Sequence, residues 1–176
     1  ALLIDQELSS SDESVKQDAA DLVALLTPVV KAFLTDNAWI ATSHCMQVFG
    51  GHGYVREWGM EQFVRDARIN MIYEGTNGIQ ALDLIGRKIL MDNGAKLRSF
   101  GKLVTDFIEQ YGTRPDMNEF VTPLADIGDK VTKLTTELGM KAMGNADEVG
   151  AAAVDYLRVC GHLVFAYFFA RMAKVA

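Results

Sequence analysis

The chain contains 176 residues, of which 49% are apolar, and it carries a formal net charge of −6. This apolar content is enough to bury the core of one domain, or of one domain with an addition, and it excludes an intrinsically disordered chain. Because the balance is acidic and Lys and Arg form no run, the composition disfavours a nucleic-acid-binding surface. Only three prolines occur, which favours helices.

The N-terminus is unusual for a complete chain, because residues 1–4 are apolar and no initiator Met precedes them. We therefore expect a fragment of a longer protein, whose missing part contacts this start. No signal-peptide pattern is present, and the apolar stretch at residues 159–170 is too short to cross a bilayer. Cys45 and Cys160 are far apart and form no CxxC pattern, which predicts small buried side chains in an intracellular, cytoplasmic protein.

The first elements in chain order are predicted to be helices. Residues 1–9 form the end of one helix, and Ser10 with Glu13 matches a capping box that begins the next helix near Asp12. Thr27 and Pro28 match an N-cap with a first-turn proline, so we expect the helix to restart or kink there. Apolar residues then recur at intervals of three and four until residues 50–53 end the helix.

The helical period continues through the rest of the chain. A stripe at residues 60–71 leads to a break at residues 74–78, and the helix that follows is predicted to stop at Asn93 and Gly94. Three more stripes occupy residues 97–111, residues 124–138, closed by Gly139, and residues 154–168, which begin near Asn145. No run of period two is present. We predict an all-α helix bundle, divided into regions 1–94 and 95–176.

The first break in the helical pattern places Gly50, Gly51 and Gly53 within four positions. Glycine permits close approach of the backbone to a ligand, and its N–H groups can hold an anion such as a phosphate. A helix C-cap followed by a tight turn explains the same residues. No strand precedes the glycines, so they do not form a dinucleotide-binding GxGxxG motif.

The second break places one carboxylate, Glu74, between two apolar helices. Desolvation at a buried edge would raise its pKa and suit it to remove a carbon-bound proton near neutral pH. A lone loop carboxylate that only caps or solvates a helix end is the alternative.

Three motifs in this order resemble the C-terminal domain of acyl-CoA dehydrogenases. They are Gln47-x-x-Gly50-Gly51-x-Gly53-Tyr54, then Arg65-Asp66-Ala67-Arg68-Ile69, then Ile72-Tyr73-Glu74-Gly75-Thr76-Asn77-x-Ile79-Gln80. The resemblance spans residues 15–92. The helical continuation beyond it is similar to the longer, bacterial-type members, which have an additional C-terminal helical region. The resemblance implies a helix bundle of the acyl-CoA dehydrogenase C-terminal type with an appended helical region.

The resemblance also implies a flavin-dependent reaction. Glu74 would be the catalytic base that removes the α-proton of an acyl-CoA thioester, while the β-hydrogen leaves as hydride to FAD and a trans-2-enoyl-CoA forms. Tyr73 and Gly75 would lie on the substrate side. The residues implied to bind the cofactor are Gln47, Gly50, Gly51, Thr76 and Asn77.

Further expectations follow from the resemblance. Members of the family share FAD between subunits, which implies a homo-oligomer, and electron-transfer flavoprotein is the expected electron acceptor. Arg65, Asp66 and Arg68 are expected to form ion pairs that position their helix. Gly78 departs from many relatives, which carry a side chain there. No metal site and no nucleic-acid partner are expected, and the chain alone is expected to be inactive. A non-catalytic relative that binds DNA or protein through the same scaffold is the alternative.

Overall fold

The computed structural model describes residues 2–176, and within this range it contains helices and no strand. The all-α prediction is confirmed. Three short elements lie between the main helices: single 3-10 turns at Arg56–Trp58 and Pro115–Met117 and a π-helical segment at Asp83–Leu90. The α-helices are α1 (Leu2–Ser9), α2 (Glu13–Val48), α3 (Gly51–Tyr54), α4 (Met60–Asn70), α5 (Asn77–Leu82), α6 (Ala95–Tyr111), α7 (Asn118–Gly144) and α8 (Asp147–Val175).

Helix α2 begins where the sequence predicts, but a different residue caps it. The Asp12 side chain accepts hydrogen bonds from the backbone N–H groups of Ser14, at 2.8 Å, and Val15, at 3.4 Å. The hydroxyl of Ser10 instead accepts from the backbone N–H of Asp12, at 3.1 Å. The predicted capping box of Ser10 and Glu13 is therefore wrong, because the Asp12 carboxylate accepts hydrogen bonds from the free N–H groups of the first turn.

Helix α2 continues through Pro28 without interruption, so of the predicted restart or kink at this position the restart is wrong. A proline inside a helix removes one N–H and leaves the carbonyl four residues earlier without its helical partner. Here Pro28 is buried together with Leu25, Val29 and Phe33, and this packing outweighs the lost hydrogen bond.

Helix α7 also continues past the glycine that was expected to end it. Gly139 lies inside the helix, which extends to Gly144, so the prediction that the stripe closes at Gly139 is wrong. A glycine inside a helix costs only about 1 kcal/mol. A Cβ at Gly139 would meet the Leu90 side chain at 3.6 Å, an ordinary van der Waals contact, so the packing there does not itself require a glycine.

The helix that begins at Asn77 changes its pitch at residue 83. Its second half is π-helical, and the backbone N–H of Met91 donates to the carbonyl of Gly86, five residues earlier, at 3.0 Å. Asn93 and Gly94 then adopt positive φ angles of 54° and 75°. The predicted stop at these two residues is confirmed.

One hydrophobic core is shared by regions 1–94 and 95–176. Helix α8 packs against α2, α5 and α7, and its buried residues include Tyr156, Cys160 and Tyr167. This helix is long and apolar enough to cross a membrane by length and composition alone, a test that buried core helices also pass. Cys160 is buried as predicted, whereas Cys45 is exposed, because the C-terminal half of α2 extends beyond the core.

Candidate functional site

The segment from Met71 to Thr76 is a short loop between α4 and α5. It is closed by a hydrogen bond from the backbone N–H of Asn77 to the carbonyl of Met71, at 3.2 Å. Glu74, at its apex, has a φ of 55°, and Gly75 follows with a φ of 87°. A left-handed conformation costs a residue with a Cβ about 1–3 kcal/mol and persists only where the surroundings enforce it. The surrounding structure therefore holds the Glu74 backbone in a conformation that this residue disfavours.

The side chain of Glu74 is exposed, and apolar neighbours on both sides of it are exposed as well. Ile72, Tyr73 and Ile79 are 47%, 48% and 56% accessible. The burial expected around this carboxylate is thus not supplied by residues of this chain. Glu74 thus lies on a surface that also carries three large exposed apolar side chains.

Asn77, the first residue of α5, fastens the loop to α2. Its Oδ1 accepts a hydrogen bond from the ammonium of Lys31, at 2.8 Å, and its Nδ2 donates to Asp36, at 2.7 Å. The same Nδ2 also lies 2.9 Å from the hydroxyl of Thr35 and 3.2 Å from the carbonyl of Ala32. Both ends of the amide are occupied within the chain.

A second tether reaches the apex of the loop itself. The side-chain Nε2 of Gln80 donates to the backbone carbonyl of Glu74, at 3.3 Å. The same Nε2 lies 3.0 Å from the position of a Cβ at Gly75, a tight contact, so a larger residue there would have to displace the tether slightly. Gly75 therefore satisfies both a positive φ and a close approach.

The glycine-rich break lies at the C-terminal end of α2. The helix ends at Val48, and Gly50 turns the chain with a φ of 59° into the single turn of α3. Gly53 is buried, and a Cβ there would collide with the backbone carbonyl of Met46. Gln47, Gly50 and Gly51 are exposed.

The structure does not bring the two breaks together. Asp36 marks the position of the Asn77 anchor on α2, and Gly50 lies 14 residues further along the same axis. At 1.5 Å per residue the two positions are about 20 Å apart. Tyr73, Glu74 and Thr76 thus form one exposed site and the glycine loop another. A cleft of about 1160 Å³ between α6 and α7 contains none of these residues.

The sequence of the chain matches family models of known proteins. The family model described as "Acyl-CoA dehydrogenase, C-terminal domain" matches residues 12–90, and the model described as "Acetyl-CoA dehydrogenase C-terminal like" matches residues 100–176. The chain belongs to the acyl-CoA dehydrogenase family. Both matched models describe C-terminal segments, and they occupy different halves of this chain.

Two relatives of this acyl-CoA dehydrogenase chain are named dehydrogenases. The 3-methylmercaptopropionyl-CoA dehydrogenase of Ruegeria pomeroyi is 45% identical over 92 residues, which cover 52% of this chain and 16% of that protein. The broad-specificity linear acyl-CoA dehydrogenase FadE5 of Mycobacterium tuberculosis is 29% identical over 158 residues, covering 86% of this chain and 26% of that protein. The chain thus spans only 16% and 26% of the length of these two relatives.

The fold of this acyl-CoA dehydrogenase chain also matches a solved structure. The crystal structure of Caenorhabditis elegans ACDH-11 in complex with C11-CoA superposes with a TM-score of 0.75 and 22% sequence identity. The match covers 96% of this chain and 28% of ACDH-11. The predicted helix bundle of the acyl-CoA dehydrogenase C-terminal type is confirmed. The non-catalytic alternative is not favoured by these comparisons.

The residues of this acyl-CoA dehydrogenase chain fit one edge of a site for FAD. A Cβ at Gly50 or Gly51 would contact nothing within 4 Å, so the backbone there is open to close approach of a diphosphate. Thr76 precedes α5, and its hydroxyl makes no capping hydrogen bond. Asn77 differs from these residues, because its amide is already engaged by α2.

Other residues singled out in the sequence have different surroundings from those expected. Among residues 2–176, Arg65, Asp66 and Arg68 form no ion pair, so the expected ion pairs are wrong. Asp66 instead accepts a hydrogen bond from Gln62 at 2.7 Å, and the guanidinium of Arg68 lies 5.9 Å from the ring centre of Trp39. In the described range, no group of three His, Cys, Asp or Glu side chains is placed to bind a metal.

Sequence patterns did not identify the α2 residues that hold the loop. Lys31 and Asp36 are 46 and 41 residues from Asn77 along the chain, beyond the reach of any local pattern. The available signal is that Thr35 and Asp36 interrupt the apolar stripe of α2 directly after Leu34. Two polar side chains next to an apolar stripe indicate that they form hydrogen bonds with another part of the chain.

Proposed function

We propose that this chain forms the base-carrying part of a flavin-dependent acyl-CoA dehydrogenase, which converts an acyl-CoA thioester into a trans-2-enoyl-CoA. The observation that supports this proposal is the conformation of Glu74. A carboxylate is held in the left-handed region at the apex of a tethered loop, inside the Ile72–Gln80 motif. Strain of this kind is typical of functional positions.

The chemistry assigned to this chain is removal of a proton. A carboxylate oxygen of Glu74 accepts the α-proton of the thioester as that C–H bond breaks, and the β-hydrogen leaves with its electron pair. The acceptor for this hydride would be supplied by FAD. The α-proton is weakly acidic, so the carboxylate must be placed close to it and protected from water. Tyr73 and Gly75 set the course of the loop on the substrate side, and exposed Ile72 and Ile79 provide an apolar rim.

Cofactor contacts are proposed at two places. Thr76 lies next to Glu74 and would approach the flavin, whereas Gln47, Gly50 and Gly51 would approach the diphosphate or adenosine part of FAD. The α2 residue that anchors the Thr76 loop and the glycine loop are about 20 Å apart along α2. We therefore propose that the two places contact different parts of one FAD, or the FAD molecules of two neighbouring subunits. The proposal has four further parts. The full-length protein is a homo-oligomer, its electron acceptor is electron-transfer flavoprotein, and it is located in the cytoplasm. The helical regions of this chain divide between residues 94 and 95.

The test is Glu74→Gln in the full-length protein that carries this chain. General-base catalysis contributes about 10²–10⁴-fold, so turnover should fall by at least that factor, while the bound FAD and its yellow colour are retained. Glu109→Gln on exposed α6 is the matched control and should keep the wild-type rate. Linear acyl-CoA thioesters and 3-methylmercaptopropionyl-CoA are the substrates to compare. A Glu74→Gln protein with the wild-type rate would refute the proposal.

A further inference from the structure

The amide of Asn77 lies between two opposite charges. The ammonium of Lys31 donates to its oxygen at 2.8 Å, and its nitrogen donates to the carboxylate of Asp36 at 2.7 Å. The side chains of all three residues are partly buried. Hydrogen bonds with a charged partner are roughly twice as strong as neutral ones, and a low local dielectric strengthens them further. The amide therefore has one strongly preferred orientation.

We propose that Lys31 and Asp36 are positioning residues for Glu74, which they control through Asn77. This inference rests on the proposed function, because it gives these residues a purpose only if Glu74 is the base. It also assigns Asn77 a role in holding the loop in place of a direct contact with the cofactor.

The geometry of the loop explains why such an anchor is needed. Glu74 is only three residues from Asn77, and its φ of 55° is not a conformation that it would keep in a free chain. The Gln80 tether at 3.3 Å is longer than the contacts of Asn77 with Lys31 and Asp36. If the amide is released, the loop can relax into an ordinary backbone conformation. A displacement of the base by 1 Å is enough to cost about 10²-fold in rate.

The amide of Asn77 and the carboxylate of Asp36 can be exchanged between the two positions, which tests the anchor. Asn77→Asp replaces the donating nitrogen with an oxygen that faces the carboxylate of Asp36 and the carbonyl of Ala32, so the contact becomes repulsive. In the double variant Asp36→Asn/Asn77→Asp, the new amide at position 36 donates to the new carboxylate at position 77. Lys31 keeps an acceptor in both variants. The double variant therefore restores the contact between positions 36 and 77 with different atoms.

These variants are to be measured in the full-length protein, with kcat and KM for an acyl-CoA thioester that the wild type oxidises. We expect kcat to fall by about 10²-fold in Asn77→Asp and to recover at least about tenfold in the double variant. KM, FAD content and the midpoint of thermal unfolding should change little. The isotope effect with an α-deuterated thioester should rise in Asn77→Asp, because proton removal becomes more rate-limiting. Lys102→Met, which removes a surface ion pair on α6, is the control.

Failure of this inference and failure of the proposed function give different results. If Glu74→Gln is inactive but Asn77→Asp keeps the wild-type kcat, the positioning role is refuted and the base remains. If Glu74→Gln keeps the wild-type rate, both are refuted. A double variant that binds FAD but shows no recovery also overturns the inference. Should Asn77→Asp fail to fold, Lys31→Met decides: about a tenfold loss of kcat supports the inference, and no loss overturns it.

Discussion

Phe33 of α2 packs with its ring against the backbone of Gly161 in α8, in the space that a Cβ at Gly161 would occupy. The same ring makes edge-to-face contacts with His162, at 5.1 Å between ring centres, and with Phe165, at 4.9 Å. These contacts join α2, the helix that anchors the Glu74 loop, to the last helix of the chain. Region 95–176 therefore supports α2 directly.

Gly161→Ala is predicted to destabilise the protein. The added methyl group would overlap the Phe33 ring, and overpacking of a core costs about 1–3 kcal/mol. Gly150→Ala on the same helix is the control, because a Cβ there meets nothing within 4 Å. That variant should gain about 0.5–1 kcal/mol from helix propensity. Urea unfolding of both variants measures the difference, and a neutral Gly161→Ala would contradict the close approach.

The pair of Asp92 and Lys96 is predicted to make stability depend on pH. Lys96 donates to Asp92 at 2.8 Å, which raises the pKa of Lys96 above its usual 10.5. Partial burial opposes ionisation of Asp92, but hydrogen bonds from Lys96 and from the backbone N–H groups of Lys96 and Ala95 lower its pKa below 3.8. Lys96 also reaches Asp21 of α2, at 3.7 Å.

The sign of the effect follows from these directions. The contribution of Asp92 is complete above its unfolded-state pKa and is lost as the pH falls through its lower folded-state value. That of Lys96 is complete below its unfolded-state pKa and is lost as the pH rises through its higher folded-state value. Asp92→Asn should cost roughly 0.5–1 kcal/mol at pH 7, since Asn still caps α6, and the difference from wild type should vanish in acid. Asp18→Asn, exposed on α2, is the control.

The two cysteines are predicted to differ in reactivity. Burial raises the pKa of the Cys160 thiol to about 12, so it carries almost no thiolate at pH 8 and is shielded from reagents. Cys45 is exposed on α2. Iodoacetamide followed by peptide mapping should modify Cys45 in the native protein and Cys160 only after denaturation. Native labelling of Cys160 would show that α8 separates from the core.

The left-handed backbone at Glu74 is predicted to cost stability. Glu74→Gly should abolish turnover and leave the free energy of unfolding unchanged or higher by about 0.5 kcal/mol, because relief of strain exceeds the entropy cost of glycine. Gly75→Ala should lower the free energy of unfolding, because a φ of 87° is unfavourable for any residue with a Cβ. Thermal unfolding of both variants tests the pair. A marked loss of stability in Glu74→Gly would contradict the strain.

The helices could be predicted from the sequence because apolar periodicity is a local property. The errors arise where tertiary packing overrides a local signal. Pro28 was expected to interrupt a helix that its own burial keeps intact, and Gly139 was expected to end a helix that continues under Leu90. Cys45 was expected to be buried, but the half of α2 that carries it extends beyond the core.

The candidate site was predictable only where its residues are contiguous. The segment from Tyr73 to Asn77 forms one loop, and its motif identifies it. Lys31 and Asp36 are joined to this loop by contacts more than 40 residues apart, which no spacing rule describes. The exposed surroundings of Glu74 were also unexpected, because burial depends on tertiary packing and no described residue of this chain covers the loop.

Helix α2 is an unbroken rod of 36 residues that carries the anchor of Glu74 at Asp36 and the glycine loop at its end. In an α-helix each residue adds 1.5 Å of length and about 100° of rotation. One residue inserted between these two positions would turn the glycine loop by more than a quarter of a circle relative to the base. The register between the two sites is therefore encoded in a residue count, which side-chain substitutions leave intact and a single insertion or deletion destroys.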